Sequence, residues 1–334
     1  MKATVIGGGS WGTALASVLA QKDDVCIWAR EPDVVEGINT QHRNPRYQSD
    51  HPLPERITAT TDIEGSIDGA EMVVMVVPSH VTRLISSKLA PHIKAGTLVV
   101  CASKGIENDS LETMEEVLTS TLPRANRGDL AFLSGPSFAA ETLQQMATAV
   151  TIAARYHDVA EQVQQRFSTP YFRCYTTEDV TGVELGGALK NVIAIAAGAA
   201  DGLGLGYNTT AALLTRGLAE ISRLAVSRGA NPLTLSGLSG MGDLVLTCTG
   251  SLSRNRRVGT MLGKGMTIEQ ILESMSEVAE GVKTAKSVYN LSRREGVEMP
   301  ISEQVYQMIY EGKPAAQALT DLMGRRLKRE REGG

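Results

Sequence analysis

Six residues near the start, GGGSWG at 7–12, constrain this chain more than any other stretch. They follow the β-branched run KATVI (2–6) and open the apolar, helically spaced segment WGTALASVLAQ. Strand, glycine turn and helix in this order satisfy the pattern GxGxxG through Gly7, Gly9 and Gly12. Each glycine has a separate reason. Gly7 permits a tight turn, Gly9 lets a pyrophosphate approach the backbone, and Gly12 lets the helix pack closely on the strand. The first amides of the helix then face the phosphates of a dinucleotide.

Downstream, β-branched runs keep alternating with helical patterns: VCIWA (25–29), ITAT (57–60), MVVMVV (72–77), TLVVCA (97–102), LAFLS (130–134) and TAVTIAA (148–154). Connections such as SHVTRLISSKLAPHI carry apolar residues at helical spacing and serve as crossovers. This predicts an α/β chain whose N-terminal part is a Rossmann-type, doubly wound, mostly parallel sheet with helices on both faces. After STPYFRCYTTEDV the period changes, and from Val180 onward helical spacing dominates. A dinucleotide-binding domain is therefore predicted over 1–179 and an all-α substrate and catalytic domain over 180–334. Helices are expected at 180–200, 209–229, 267–274, 281–295, 301–310 and 314–328. Residues 41–56 are polar, hold three prolines and read as an irregular excursion. The basic end, GRRLKREREGG, reads as a solvated helix terminus.

Charge and composition narrow the partners. A net charge of −4 and a pI near 5.8 provide no basic field for nucleic acid or anionic lipid, which favours a small-molecule ligand. The four cysteines lack CxxC spacing and suit a reducing cytoplasm. MKATVIGGGS has too short an apolar run for a signal segment, and no stretch approaches eighteen apolar residues without polar interruption, so neither secretion nor membrane insertion is expected. The five histidines show no paired ligand spacing, and no metal is expected.

Ligands of doubly wound sheets bind beyond the carboxyl ends of the strands. At the end of the second strand stands WARE, where Arg30 suits the 2′-phosphate of NADP(H) and Glu31 leaves NAD(H) possible. Later strand ends place Pro78 to His80, Lys104, and Gly135 with Ser137 at the same edge. Lys104 is suited to an oxyanion or a phosphate; His80 reads equally well as a turn residue.

The helix GGALKNVIAIAAG (186–198) is small and apolar around a single charge, Lys190. An unpaired buried ammonium costs several kcal/mol, about what shifts a lysine pKa by 3 to 5 units, so Lys190 must meet an anion, a relay or water. Val183, Gly186, Ala194, Ala197 and Asp201 share its face and leave room for a packed helix or a ligand. Further on, Asp243 sits in a glycine-rich turn, and Ser253, Arg254, Asn255, Arg256 and Arg257 supply the donors of a phosphate site.

Ten ordered strings carry a family resemblance: GGGSWGTALA, VVPSH, SKGIE, SGPSFAAE, GVELGGALKNVIAIAAG, DGLG, TRGLAE, GDLVLTCTG, SRNRRVG and VAEG. Together they resemble NAD(P)-dependent glycerol-3-phosphate dehydrogenase of the bacterial type. The resemblance implies reversible reduction of dihydroxyacetone phosphate to sn-glycerol 3-phosphate, which supplies phospholipid synthesis, and a homodimer. It implies that Lys190 donates and accepts the proton, and that Lys104, Gly135, Ser137, Asp243, Ser253, Arg254 and Asn255 contact substrate. Ser10, Trp11, Arg30, Lys104, Ala139, Arg254, Val278 and Glu280 fall at its nucleotide positions. One departure is visible: NPRYQSD (44–50) stands where relatives read NPRYLPG. The alternatives are a two-domain dehydrogenase of 3-hydroxy acids, for which the SRNRR cluster has no use, and a dinucleotide sensor without turnover.

Overall fold

In the computed structural model, which describes residues 1–275, 279–327 and 329–330, eight strands form one sheet. They are β1 (Lys2–Ile6), β2 (Asp24–Trp28), β3 (Ile57–Thr60), β4 (Met72–Met75), β5 (Leu98–Cys101), β6 (Leu130–Ser134), β7 (Thr148–Ala153) and β8 (Phe172–Thr177). Their order is β3-β2-β1-β4-β5-β6-β7-β8. The order in which strands are added reverses between β1 and β4, so the crevice of a doubly wound sheet opens above the end of β1. Every pairing is parallel except β6 with β7.

Alternate residues of these strands feed two apolar layers. Val5, Met72, Val74, Leu98 and Val100 enter one; Ile6, Val73, Met75, Val99 and Cys101 enter the other. Burial on both faces explains why the central strands read as continuous apolar runs. The segment STPYFRCYTTEDV, in which no strand was expected, contains the edge strand β8. There Phe172 and Cys174 point inward while Arg173 and Tyr175 face out, and this polar outer face hid the strand.

The C-terminal domain is helical and is built around the helix Val180–Gly202. Asp179 caps its start by accepting from the Gly182 N–H at 2.9 Å. It is long and apolar enough to cross a membrane, yet 94% of that apolar window is buried inside the fold. Its small residues are where other backbones approach. A Cβ on Gly198 would stand 2.0 Å from the Arg256 carbonyl oxygen, and one on Gly259 would stand 2.0 Å from that of Ile195. The helix Arg254–Gly263 thus packs glycine to backbone against the central helix, with Val258 and Leu262 completing the contact.

Two readings of the sequence need correction here. Asp243 lies not in a turn but at the first residue of the helix Asp243–Thr249, and the basic cluster begins a second helix, Arg254–Gly263. Glycine density masked both, because the glycines mark close packing rather than chain reversal. The helix expected over 314–328 spans Ala315–Met323 and stops at Gly324. On the small face beside Lys190, Gly186 receives packed backbone, the Ser239 carbonyl, which is one of the two occupants expected there.

Because the obstructing atom is main chain, Gly259→Ala is expected to destabilise the fold by about 1–3 kcal/mol, an overpacking cost. Urea denaturation checks this; an unchanged midpoint would mean the two helices can separate freely.

Candidate active site

The glycine turn follows β1, and its three glycines separate by what surrounds them. Gly7 holds φ +127°, a conformation that side chains disfavour, and its N–H donates to the Trp28 carbonyl at 3.0 Å. A Cβ on Gly12 would stand 1.9 Å from the Gly7 carbonyl oxygen. Both are therefore required by the fold. Gly9 is different: its φ of −74° and ψ of −178° suit any residue, and nothing lies within 4 Å of a Cβ there. It stands at the N-terminus of the helix Ser10–Leu19, whose first amides have no acceptor within the helix. Open space over free amides fits a phosphate group. The buried Trp11 indole N–H also lacks a partner among the described residues.

The other nucleotide candidates lie around this turn. Ala139 opens a short helix packed against the helix Ser10–Leu19. Arg30 is exposed at the end of β2 and donates to the Glu31 carboxylate at 2.7 Å. Val278 lies outside the described residues. Glu280 opens the helix Glu280–Glu295; burial pushes its carboxyl up, against the pull of Arg254, Lys104 and Lys190.

Two lysines from opposite halves of the chain meet on one carboxylate. Lys104 follows β5 and donates to Asp243 Oδ2 at 2.8 Å and to the Gly135 carbonyl at 3.3 Å. Lys190, on the central helix, donates to Asp243 Oδ1 and to Thr247 Oγ1, the latter at 2.8 Å. Exposure of the three side chains is 15% for Lys104, 8% for Lys190 and 2% for Asp243. Gly187 borders this meeting: a Cβ there would stand 2.6 Å from Ser134 Oγ and in ordinary contact, 3.7 Å, with Lys104 Cδ, so the missing side chain makes room for Ser134.

Electrostatics set the protonation states. Burial lowers the Lys190 pKa to about 8; Asp243 opposes the fall and Lys104 adds to it. Burial would push the Asp243 carboxyl up, but Lys104 and Lys190 outweigh it and hold the group below the ordinary carboxylate range. The ionised trio carries one unbalanced positive charge in a dry place. Such a place attracts an anion, and a lysine whose pKa lies near neutrality can give or take a proton.

The remaining candidates divide by exposure. Ser137 Oγ donates to the Gly135 carbonyl at 3.0 Å, so both residues border the lysine pair. Ser253 caps the helix Arg254–Gly263 by accepting from the Arg256 N–H at 3.2 Å. Asn255 is buried and joins three helices, donating to Asn191 Oδ1 and accepting from the Gly281 N–H, each at 2.9 Å. Arg256 is drawn to Asp201 at 3.1 Å. Arg254 and Arg257 present exposed guanidinium groups. His80 is exposed, and burial of its ring together with Lys283 lowers its pKa; among the described residues it makes no hydrogen bond to the lysine pair.

Sequence reasoning missed Thr247 and Asn191. Thr247 is one helical turn after Asp243, and reading 243–249 as a helix would have placed it on the same face.

Comparison with known proteins agrees along the whole chain. Family models described as the N-terminus and the C-terminus of NAD-dependent glycerol-3-phosphate dehydrogenase match residues 2–160 and 179–320. Glycerol-3-phosphate dehydrogenase [NAD(P)+] of Myxococcus xanthus is 56% identical over 334 residues, covering 100% of both chains. The protein of the same name from Geobacter metallireducens is 54% identical, with 99% of each chain covered. A crystal structure of glycerol-3-phosphate dehydrogenase from Coxiella burnetii superposes with a TM-score of 0.92 at 37% identity, covering 97% of this chain and 99% of that one.

Since no protein atom needs a glycine at position 9, Gly9→Ala is expected to change folding stability by no more than about 0.5 kcal/mol. Dinucleotide affinity, read by calorimetry, is expected to fall at least tenfold, about 1.4 kcal/mol. Unaltered affinity would place the pyrophosphate elsewhere.

Proposed function

Because the chain belongs to the NAD-dependent glycerol-3-phosphate dehydrogenase family, we propose that Lys190 is the general acid and base of its reaction. The enzyme reversibly reduces dihydroxyacetone phosphate to sn-glycerol 3-phosphate with NAD(P)H. The observation that carries the assignment is Lys190 itself, buried yet paired with Asp243, with its pKa near 8. Neither a 3-hydroxy-acid dehydrogenase nor a sensor without turnover fits this family.

When bound, the dinucleotide supplies or accepts the hydride at its nicotinamide. As the ketone carbon is reduced its oxygen gains negative charge, and the Lys190 ammonium donates a proton there. Lys104 stabilises the same oxygen by charge, while Asp243 orients both lysines. In the reverse direction neutral Lys190 accepts the proton from the alcohol. Arg254 anchors the substrate phosphate, and Ser253, Asn255, Gly135 and Ser137 complete the walls. That anchoring contributes binding energy that positions the carbonyl.

Gly7, Gly9, Ser10, Trp11 and Gly12 cradle the pyrophosphate, with Ala139, Glu280, Lys104 and Arg254 toward the nicotinamide; Val278 belongs to the same nucleotide set. Arg30 favours NADP(H) over NAD(H). The chain divides near residue 180 into its dinucleotide-binding and catalytic domains, works in the cytoplasm without membrane insertion, and pairs as a homodimer. Its product supplies phospholipid synthesis.

Lys190→Ala is expected to lower kcat at least a hundredfold while dinucleotide binding persists. The pH profile adds a sign. Reduction uses the ammonium, so its rate falls as pH rises through about 8; oxidation uses the free amine, so its rate climbs over the same range. Turnover near that of the parent, or limbs of the opposite sense, would remove Lys190 from this role. For Arg254→Ala the KM for dihydroxyacetone phosphate is expected to rise at least tenfold, the scale of a lost charge-assisted phosphate contact; steady-state kinetics decide it.

A further inference from the structure

The irregular excursion 41–56 contains one residue with no exposure at all, Asn44. Its amide is fully used. Nδ2 donates to the Gly8 carbonyl and to Thr13 Oγ1, both at 2.8 Å, while Oδ1 accepts from the Arg46 N–H at 3.3 Å and the Tyr47 N–H at 3.1 Å. Two donors and two acceptor sites are all that an amide side chain has. The base of the excursion is closed by the Leu53 N–H on the His42 carbonyl at 2.8 Å. Residues 44–47 are therefore a fixed turn docked on the glycine loop.

What this turn presents is Arg46. Its guanidinium reaches the start of the helix Pro32–Gln41, where Nε donates to Asp33 Oδ2 at 2.6 Å. Arg30 pairs with Glu31 at 2.7 Å beside it. Hydrogen bonding to Asp33 raises the Arg46 pKa, and the charge of Glu31 contributes in the same direction. The end of β2 thus carries two guanidinium groups, each held by a carboxylate.

We propose that Arg46 is a second selector for the 2′-phosphate of NADP(H), presented to the end of β2 by the Asn44 turn. This rests on the reading that a 2′-phosphate binds at Arg30. One exposed guanidinium makes a weak phosphate site, whereas two forks engage the three terminal oxygens from different sides. The carboxylates supply the other half of the device. With an unphosphorylated ribose, Glu31 is placed to accept from the 2′-hydroxyl, as acidic residues at this position do. With a 2′-phosphate, Arg30 and Arg46 exchange their carboxylate partners for phosphate oxygens. Selection is moderate, because each new contact replaces an existing ion pair.

Calorimetric binding of adenosine 2′,5′-bisphosphate and of 5′-AMP to the full-length enzyme tests this without turnover. The parent is expected to bind the bisphosphate more tightly. Arg46→Ala is expected to weaken the bisphosphate at least fivefold and to leave 5′-AMP within twofold, with melting unchanged. A parent that prefers the bisphosphate and an Arg46→Ala variant that keeps the full preference would overturn the role of Arg46 alone. Equal losses for both nucleotides would overturn it too. A parent without preference would overturn both assignments. Loss in Arg46→Ala with retention in Arg30→Ala would uphold Arg46 and remove Arg30.

Discussion

One carboxylate, that of Asp243, holds the site together. It is nearly inaccessible and divides its two oxygens between Lys104, from the strand end of the sheet, and Lys190, from the core of the helical domain. Three charged groups out of water are costly, and they persist only because each is paired at short range. If Asp243 were removed, two ammonium groups would face each other without the carboxylate that pairs them. The fold therefore closes correctly around this residue or it builds no site. It also explains why Lys190 keeps a proton near neutrality although burial works against it.

Much of this was legible in the residues. The order of β1, glycine turn and helix fixed the sheet type and the crevice, and the strand ends pointed to Lys104, Gly135 and Ser137. Lys190 was conspicuous because a charge in a small apolar helix needs an explanation. The site's second half was harder to read. Asp243 and the cluster at 253–257 lie in glycine-rich sequence, and glycine signals a turn and a close helix contact equally well. Only contact between distant segments separates the two, and single-sequence periodicity carries no such information. The same limit hid Asn44, whose partners are 31 and 36 residues away.

Of the two occupants expected beside the small residues of the central helix, packed backbone takes the larger share. Gly186 and Gly198 accept neighbouring backbone, and Gly187 alone borders the lysine pair, where it admits Ser134 and the stem of Lys104. Packing and chemistry thus use adjacent faces of one rigid element. Small residues bring the helix Arg254–Gly263 close to the helix that bears Lys190, so the distance between the two is set by main-chain contact rather than by flexible side chains.

Thr247 gives this arrangement one more property. Its hydroxyl lies 2.6 Å from the Asp243 carbonyl oxygen and 2.8 Å from Lys190 Nζ. Toward an ammonium the oxygen accepts while its hydrogen rests on the carbonyl. Toward a neutral amine the hydroxyl can rotate and donate instead. In the role proposed for Lys190, a lysine that has just lost its charge is thus still tethered, and a further cycle would begin from the same side-chain position as the last.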